Sequence, residues 1–150
     1  MATLIGDPLL AFDMDEHWMH YALSLAKRAE SVGEVPVGAV LVLENTMMAE
    51  GWNQSIQFCD PTAHAEILAL RRGALHLQNY RLVNTTLYVT LEPCMMCIGA
   101  LTHARVKRLV FGAFDPKAPS DRLNHHMSVE GGLLADVCGA LLQNFFQARR

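Results

Sequence analysis

Two short segments constrain this chain more than any other feature: His64-Ala65-Glu66 and Pro93-Cys94-Met95-Met96-Cys97. Cysteines at i and i+3 share one face of a helical turn and can reach a common ion, and a histidine from a neighbouring helix start can add a third ligand. The surrounding pattern supplies those helix starts. Pro61 and Thr62 mark the beginning of a helix over 63–75 that carries His64 in its first turn, with Ile67, Leu68, Leu70 and Ala74 apolar. Pro93 opens another, which carries Cys94 and Cys97.

Elsewhere the periodicity alternates. Trp18, Ala22, Leu25, Ala26 and Ala29 repeat at helical spacing over 15–30, with Asp13 or Asp15 placed to cap the first turn. Residues 37–43 form a β-branched apolar run, Glu44-Asn45-Thr46 a turn and 47–52 a second strand, together a hairpin. Strands follow at 85–90, 107–111 and near 127–129, and a last helix spans 132–148. This order predicts an α/β fold with a mixed sheet of about five strands whose first pair is antiparallel. At 150 residues one domain covers the whole chain, with 1–14 expected as a flexible N-terminal extension.

The chain is 51% hydrophobic and 18% charged, and no low-complexity stretch interrupts it, so a disordered class is excluded. Leu4 to Phe12 is apolar but broken by Gly6, Asp7 and Pro8 and lacks a basic flank, which argues against a signal peptide. No segment is long enough to span a bilayer, and a cytoplasmic address is the default expectation. In that setting a CxxC pair reads as a metal or redox site, and Cys59 and Cys138 as unpaired thiols, Cys138 on a buried helix face. A net charge of −3 gives no global reason to expect nucleic acid, and the clusters Arg71-Arg72, 105–108 and Arg149-Arg150 read individually as solvated element ends.

Three protein ligands leave one position of a tetrahedral zinc open, whereas structural sites usually close all four. The ligand count therefore points to chemistry, because zinc lowers the pKa of a water in the open position toward neutrality. Glu66, two residues after the histidine, is near the metal without being needed as a ligand. It can take a proton from that water and deliver it to a ring nitrogen and to departing ammonia, which is hydrolytic deamination. A lone CxxC would be redox or structural, but a redox site gives no role to His64 or Glu66.

H-x-E paired with P-C-x-x-C is the signature of zinc nucleobase deaminases. With it, Glu34-Val35-Pro36-Val37-Gly38-Ala39-Val40, Gly51-Trp52-Asn53, Asp60-Pro61-Thr62-Ala63-His64, Tyr88-Val89-Thr90-Leu91-Glu92 and Phe111-Gly112-Ala113-Phe114-Asp115 make the chain resemble the cytidine deaminase-like superfamily from about Trp18 onward. Within it, the resemblance is to the branch of bacterial tRNA-specific adenosine deaminases. It implies a three-layer α/β/α fold, one zinc ion and a homodimer. The implied substrate is the wobble adenosine of a tRNA anticodon stem-loop, converted to inosine with loss of ammonia. By the same resemblance Asn53 hydrogen-bonds the flipped base, Glu34 and Val35 wall the pocket, and Asp115 lies near the ribose. The resemblance also implies that Phe145 and Phe146 contact the anticodon loop. An Asx-turn before Pro116 is the competing reading of Asp115, and of the two phenylalanines one is expected buried and one available.

The chain departs from the branch between Ala118 and Arg122, where only Pro119, Ser120 and Asp121 stand in place of the longer, helix-containing segment that is usual. A parallel crossover needs a dozen or more residues, so the connection over 113–126 is tight. Phe114 and His126 also stand where basic residues are expected, so the rim loses positive charge. Deamination of free cytosine or guanine, action on single-stranded DNA, and a non-catalytic zinc subunit are the alternatives. The last is disfavoured by the presence of Glu66.

Overall fold

Helix α1 runs from Pro8 to Ser31 and leads into a hairpin of β1 (Gly38–Leu43) and β2 (Thr46–Trp52). Helix α2 (Ala65–Leu77), strand β3 (Thr85–Leu91), helix α3 (Met95–His103) and strand β4 (Arg108–Ala113) follow. The short strand β5 (Ser128–Gly131) and helix α4 (Ala135–Gln147) complete the chain. This computed structural model describes residues 8–118 and 127–149.

The sheet order is β2-β1-β3-β4-β5, with β1 antiparallel to both its neighbours and β3, β4 and β5 mutually parallel. The hairpin loop is two residues, Glu44 and Asn45, both left-handed with φ of 50° and 58°. Paired positive φ values make the turn whose twist matches that of the flanking strands. Thr46, expected in the turn, already belongs to β2.

Strand alternation assigns the helices to layers. Gly38 faces α1, where an added Cβ would run into the Ala22 carbonyl, while Gly51, paired to Ala39 on the opposite face, lies against Ala65 and Ala69 of α2. Tyr88 is in register with Val40, on Gly38's side, and its hydroxyl donates to Asp15 of α1 at 2.7 Å. Gly112 lies on that side too, against Cys138 of α4. So α1 and α4 cover one face and α2, with α3 beside it, the other: three layers, α/β/α. Leu41, Leu87, Val89, Leu101 and Leu109 are fully buried in the core.

Several expected boundaries move. α1 begins at Pro8, so residues 8–14 are helical rather than an extension, and Asp13 and Asp15 lie inside the helix and cannot cap its first turn. Asp15 instead receives the Arg108 guanidinium at 2.9 and 2.5 Å, and Arg108 also reaches Glu130 at 3.0 and 3.1 Å. Tertiary pairing, not helix capping, accounts for that aspartate. β5 lies one to two residues later than expected, and α4 starts at Ala135, not at 132. Residues 1–7, the start of the expected extension, residues 119–126, which include the shortened connection and the His126 departure, and Arg150 lie outside the described residues. Among the described residues no helix is long and apolar enough to cross a membrane. Cys59 is exposed and Cys138 buried, both as free thiols.

Candidate active site

His64 and Cys94 sit one residue earlier than expected: each is the N-cap of its helix, extended in backbone (φ −74°, ψ 154° and φ −73°, ψ 173°), and neither side chain caps the helix. An N-cap side chain normally bonds the free amides of the first turn. Here the two are turned toward one another. His64 Nδ1 lies 3.6 Å from Cys94 Sγ and 3.5 Å from Cys97 Sγ, and the three ligand atoms all fall within 4.8 Å of each other. Zinc bonds of about 2.3 Å to sulfur and about 2.05 Å to nitrogen at a tetrahedral angle place N and S about 3.6 Å apart. The donor set therefore fits zinc in both chemistry and spacing.

Electrostatics agree with the fit. Burial pushes the Cys97 thiol far above its ordinary range, and the negative charges of Glu66 and Cys94 push the same way. Helix N-termini favour thiolates, but a dication would make two thiolates and a carboxylate compatible in one partly buried cluster. Glu66, in the first turn of α2 and 4% exposed, is outside the ligand trio. Burial raises its pKa, while its own backbone amide, the Cys97 thiol and His64 oppose the rise.

Asn53 follows β2, and its Oδ1 accepts the Ala65 amide at 2.8 Å. It thus satisfies the first amide of α2, one of the first-turn donors that have no partner within the helix. Glu34 is buried with both oxygens engaged, accepting the amides of Ile56 at 3.1 Å and Gln57 at 2.8 Å. Its carboxylate holds up the loop that leads to His64. Val35, half-buried, packs on the core.

Asp115 forms the Asx-turn: its Oδ1 accepts the Lys117 amide at 3.0 Å, and its carbonyl accepts from Ala118 at 2.9 Å. Phe145 is 5% exposed and Phe146 48%, so the pair divides into one buried and one available ring. The Arg149 guanidinium stacks 3.5 Å from the Phe145 ring centre.

Sequence reasoning missed three supports. Glu92 is buried, with Oε1 accepting the Asp115 amide at 2.9 Å while its own amide donates to Ala113, so it extends the β3/β4 ladder to the residue that precedes Pro93 and Cys94. Gln54 is buried between Gln57 at 2.8 Å and Arg72 at 3.1 Å. Arg72, read as part of a solvated cluster, also bonds the Glu50 carbonyl at 2.9 Å and stacks on Trp52. A charged side chain ending the apolar run of β3 was the available signal for Glu92; nothing in the pattern marked Arg72.

The family model for the cytidine and deoxycytidylate deaminase zinc-binding region matches residues 13–113. A tRNA-specific adenosine deaminase from Haemophilus influenzae is 54% identical over 149 residues, covering 92% of this chain and 86% of that protein. A solved structure from studies of A-to-I editing by tRNA:A34 deaminases at the wobble position superposes with a TM-score of 0.79 at 40% identity, covering 84% of this chain and 99% of its own. A guanine deaminase from Nitrosomonas europaea superposes with a TM-score of 0.77 at 27% identity, covering 87% and 83%. With its His-Cys-Cys triad, its buried glutamate and a match across most of its length, the chain belongs to the cytidine and deoxycytidylate deaminase zinc-binding family, and is a zinc-dependent hydrolytic deaminase.

Proposed function

We propose that this enzyme is a tRNA adenosine-34 deaminase: wobble adenosine and water give inosine and ammonia. The observation that carries the reaction is the meeting of His64, Cys94 and Cys97 beside the buried Glu66. The substrate assignment is supported by the 54% identical relative, as against 27% for the guanine deaminase.

Zinc, held by the triad, would supply the Lewis acidity that makes a water nucleophilic near neutral pH. The chain's own residues do the rest. Glu66, whose burial makes it hold a proton more readily than an ordinary carboxylate, takes the water's proton. It passes that proton to N1 of the adenine, and then carries the second water proton to the departing amine at C6. Asn53, its oxygen fixed by Ala65, offers Nδ2 to a ring nitrogen of the base. Glu34 holds the pocket wall by supporting the loop before His64, Val35 completes that wall from its place on the core, and Asp115 stands at the rim on the ribose side. Phe146 offers an exposed ring to the anticodon loop.

The working form we infer is a cytoplasmic homodimer. Met95, 67% exposed, and Met96 lie on the outward side of α3 beside the ligands, and a second copy would cover them.

The test is incubation of the zinc-loaded protein with an anticodon stem-loop bearing adenosine at the wobble position, followed by nucleoside chromatography. Inosine at that position, and none when guanosine replaces the adenosine, is the expected result. Ammonia from free guanine or cytosine with no inosine in RNA overturns it. Sedimentation equilibrium reads the dimer.

A further inference from the structure

A groove of about 310 Å³ runs between the end of β4 and the outer face of α4, bordered by Phe114, Ala135, Asp136, Gly139, Ala140 and Gln143. Its volume is at the lower end of the roughly 300–1,000 Å³ of small-ligand sites. Phe114 is its most exposed aromatic at 64%, and its ring is held rather than loose. Phe111 meets it edge-on at 5.2 Å and 88°, and Gly132, which has no side chain to interpose, lies beneath. Gln143 also borders the next surface hollow along α4, which contains the half-exposed Phe146.

The position ties the groove to the catalytic centre. Ala113, the residue before Phe114, pairs with Leu91, three residues ahead of Cys94, and the residue after Phe114 is Asp115 on the rim. We propose that Phe114 is a stacking platform for the unpaired nucleobase next to the target adenosine, with the Gln143 amide available to its edge. This rests on the RNA substrate of the proposed function.

The chemistry selects a base over a phosphate. Among the described residues no Lys or Arg borders the groove, and Asp136 contributes a negative charge that a phosphate would have to approach. A neutral π-face needs no cation, and Gly139 and Ala140 leave α4 flat enough for a planar group to lie along it.

The experiment is a double-mutant cycle between Phe114→Ala and an abasic nucleotide placed, in separate RNAs, on each side of the wobble adenosine. Stacking on an aromatic side chain is worth roughly 5- to 150-fold per base in kcat/KM. Each single change should cost that factor, carried by KM, and for one of the two neighbours the double change should cost no more than either alone. Phe114→Tyr and Phe114→Trp should retain activity, and Phe114→Leu should behave like Ala, because a residue that merely packs on Phe111 would be rescued by an apolar side chain. Zinc content and Tm check the fold, and the abasic arm needs only the wild-type protein. Wild-type Phe114 indifferent to an abasic site on either side, losses that multiply for both neighbours, or rescue by Leu would each overturn the platform alone. A wild type that forms no inosine in any RNA overturns the proposed function and the platform with it.

Discussion

A single methyl group at Gly51 should separate the positioning of the catalytic helix from the stability of the fold. Gly51 of β2 lies so close to α2 that a Cβ would stand 2.8 Å from Ala69 N and 3.2 Å from Leu68 Cβ, and closer still to the Ala65 carbonyl. Ordinary contact begins at 3.4 Å, so relieving Ala69 alone takes the 0.6 Å between 2.8 and 3.4 Å, and the carbonyl demands more. The obstructing atoms are helix backbone in the turn that follows His64 and carries Glu66, so relief moves the catalytic groups. Gly51→Ala should cost roughly 1–3 kcal/mol of overpacking, about 2–12 °C in Tm for a chain this long. Because a shift of about 1 Å at reacting groups costs on the order of 100-fold, kcat should fall by about 10- to 100-fold and zinc should be lost more readily to a chelator. Gly38→Ala is the matched control: its Cβ meets Ala26 N at 2.7 Å and Leu25 Cβ at 2.8 Å, on α1 and on the other face of the sheet. It should lose comparable stability and keep kcat within a few-fold. Equal kcat losses in the two variants, or full activity in Gly51→Ala with lowered Tm, would refute the argument that this contact sets the position of α2.

Three further outcomes are expected. Glu66→Gln should lower kcat by about 10²- to 10⁴-fold with zinc content unchanged by mass spectrometry, since an amide cannot carry the proton; loss of zinc would instead make Glu66 a ligand. Cys97→Ser should lower zinc occupancy and Tm together, and in the wild-type protein a chelator should abolish activity until zinc is restored. Arg108→Met should destabilise by about 2 kcal/mol at neutral pH, the scale of hydrogen bonds to a charged group at a partly exposed site. Burial alone would raise the Asp15 pKa, but hydrogen bonds from Arg108 and Tyr88 and the guanidinium charge outweigh it and hold the carboxyl below its ordinary value. The stability from that shift is complete above the unfolded pKa of about 3.9 and disappears as pH falls through the lower folded value. The gap in urea midpoint between wild type and Arg108→Met should therefore narrow below about pH 4.

The metal triad and Glu66 were legible because their chemistry is local: spacing within a turn, and two turns that begin with proline signals. The order of elements was legible for the same reason, since hydrophobic period changes at each of them. Helix ends were not. Pro8 and the residues up to Met14 carry no clean amphipathic stripe. Asp15 looked like a cap because sequence cannot show Arg108 arriving from β4. Glu34 and Glu92 read as a pocket wall and as an unremarked flank, yet both are buried and bond backbone amides more than twenty residues away. Such long-range satisfaction of loop amides leaves no periodic trace.

The bond from Asn53 to Ala65 bears on how this position can vary. One side chain both closes the first turn of α2 and, by the proposed function, reads the base, so its oxygen serves the fold and its nitrogen the substrate. Aspartate would keep the first task and reverse the second, offering an acceptor where a donor stood, while serine would shorten both. A change of base preference at this subsite therefore has few single-step routes that leave the helix start intact. The neighbouring rim, where the Phe114 side chain meets Phe111 edge-on but makes no hydrogen bond, is the freer place for specificity to drift.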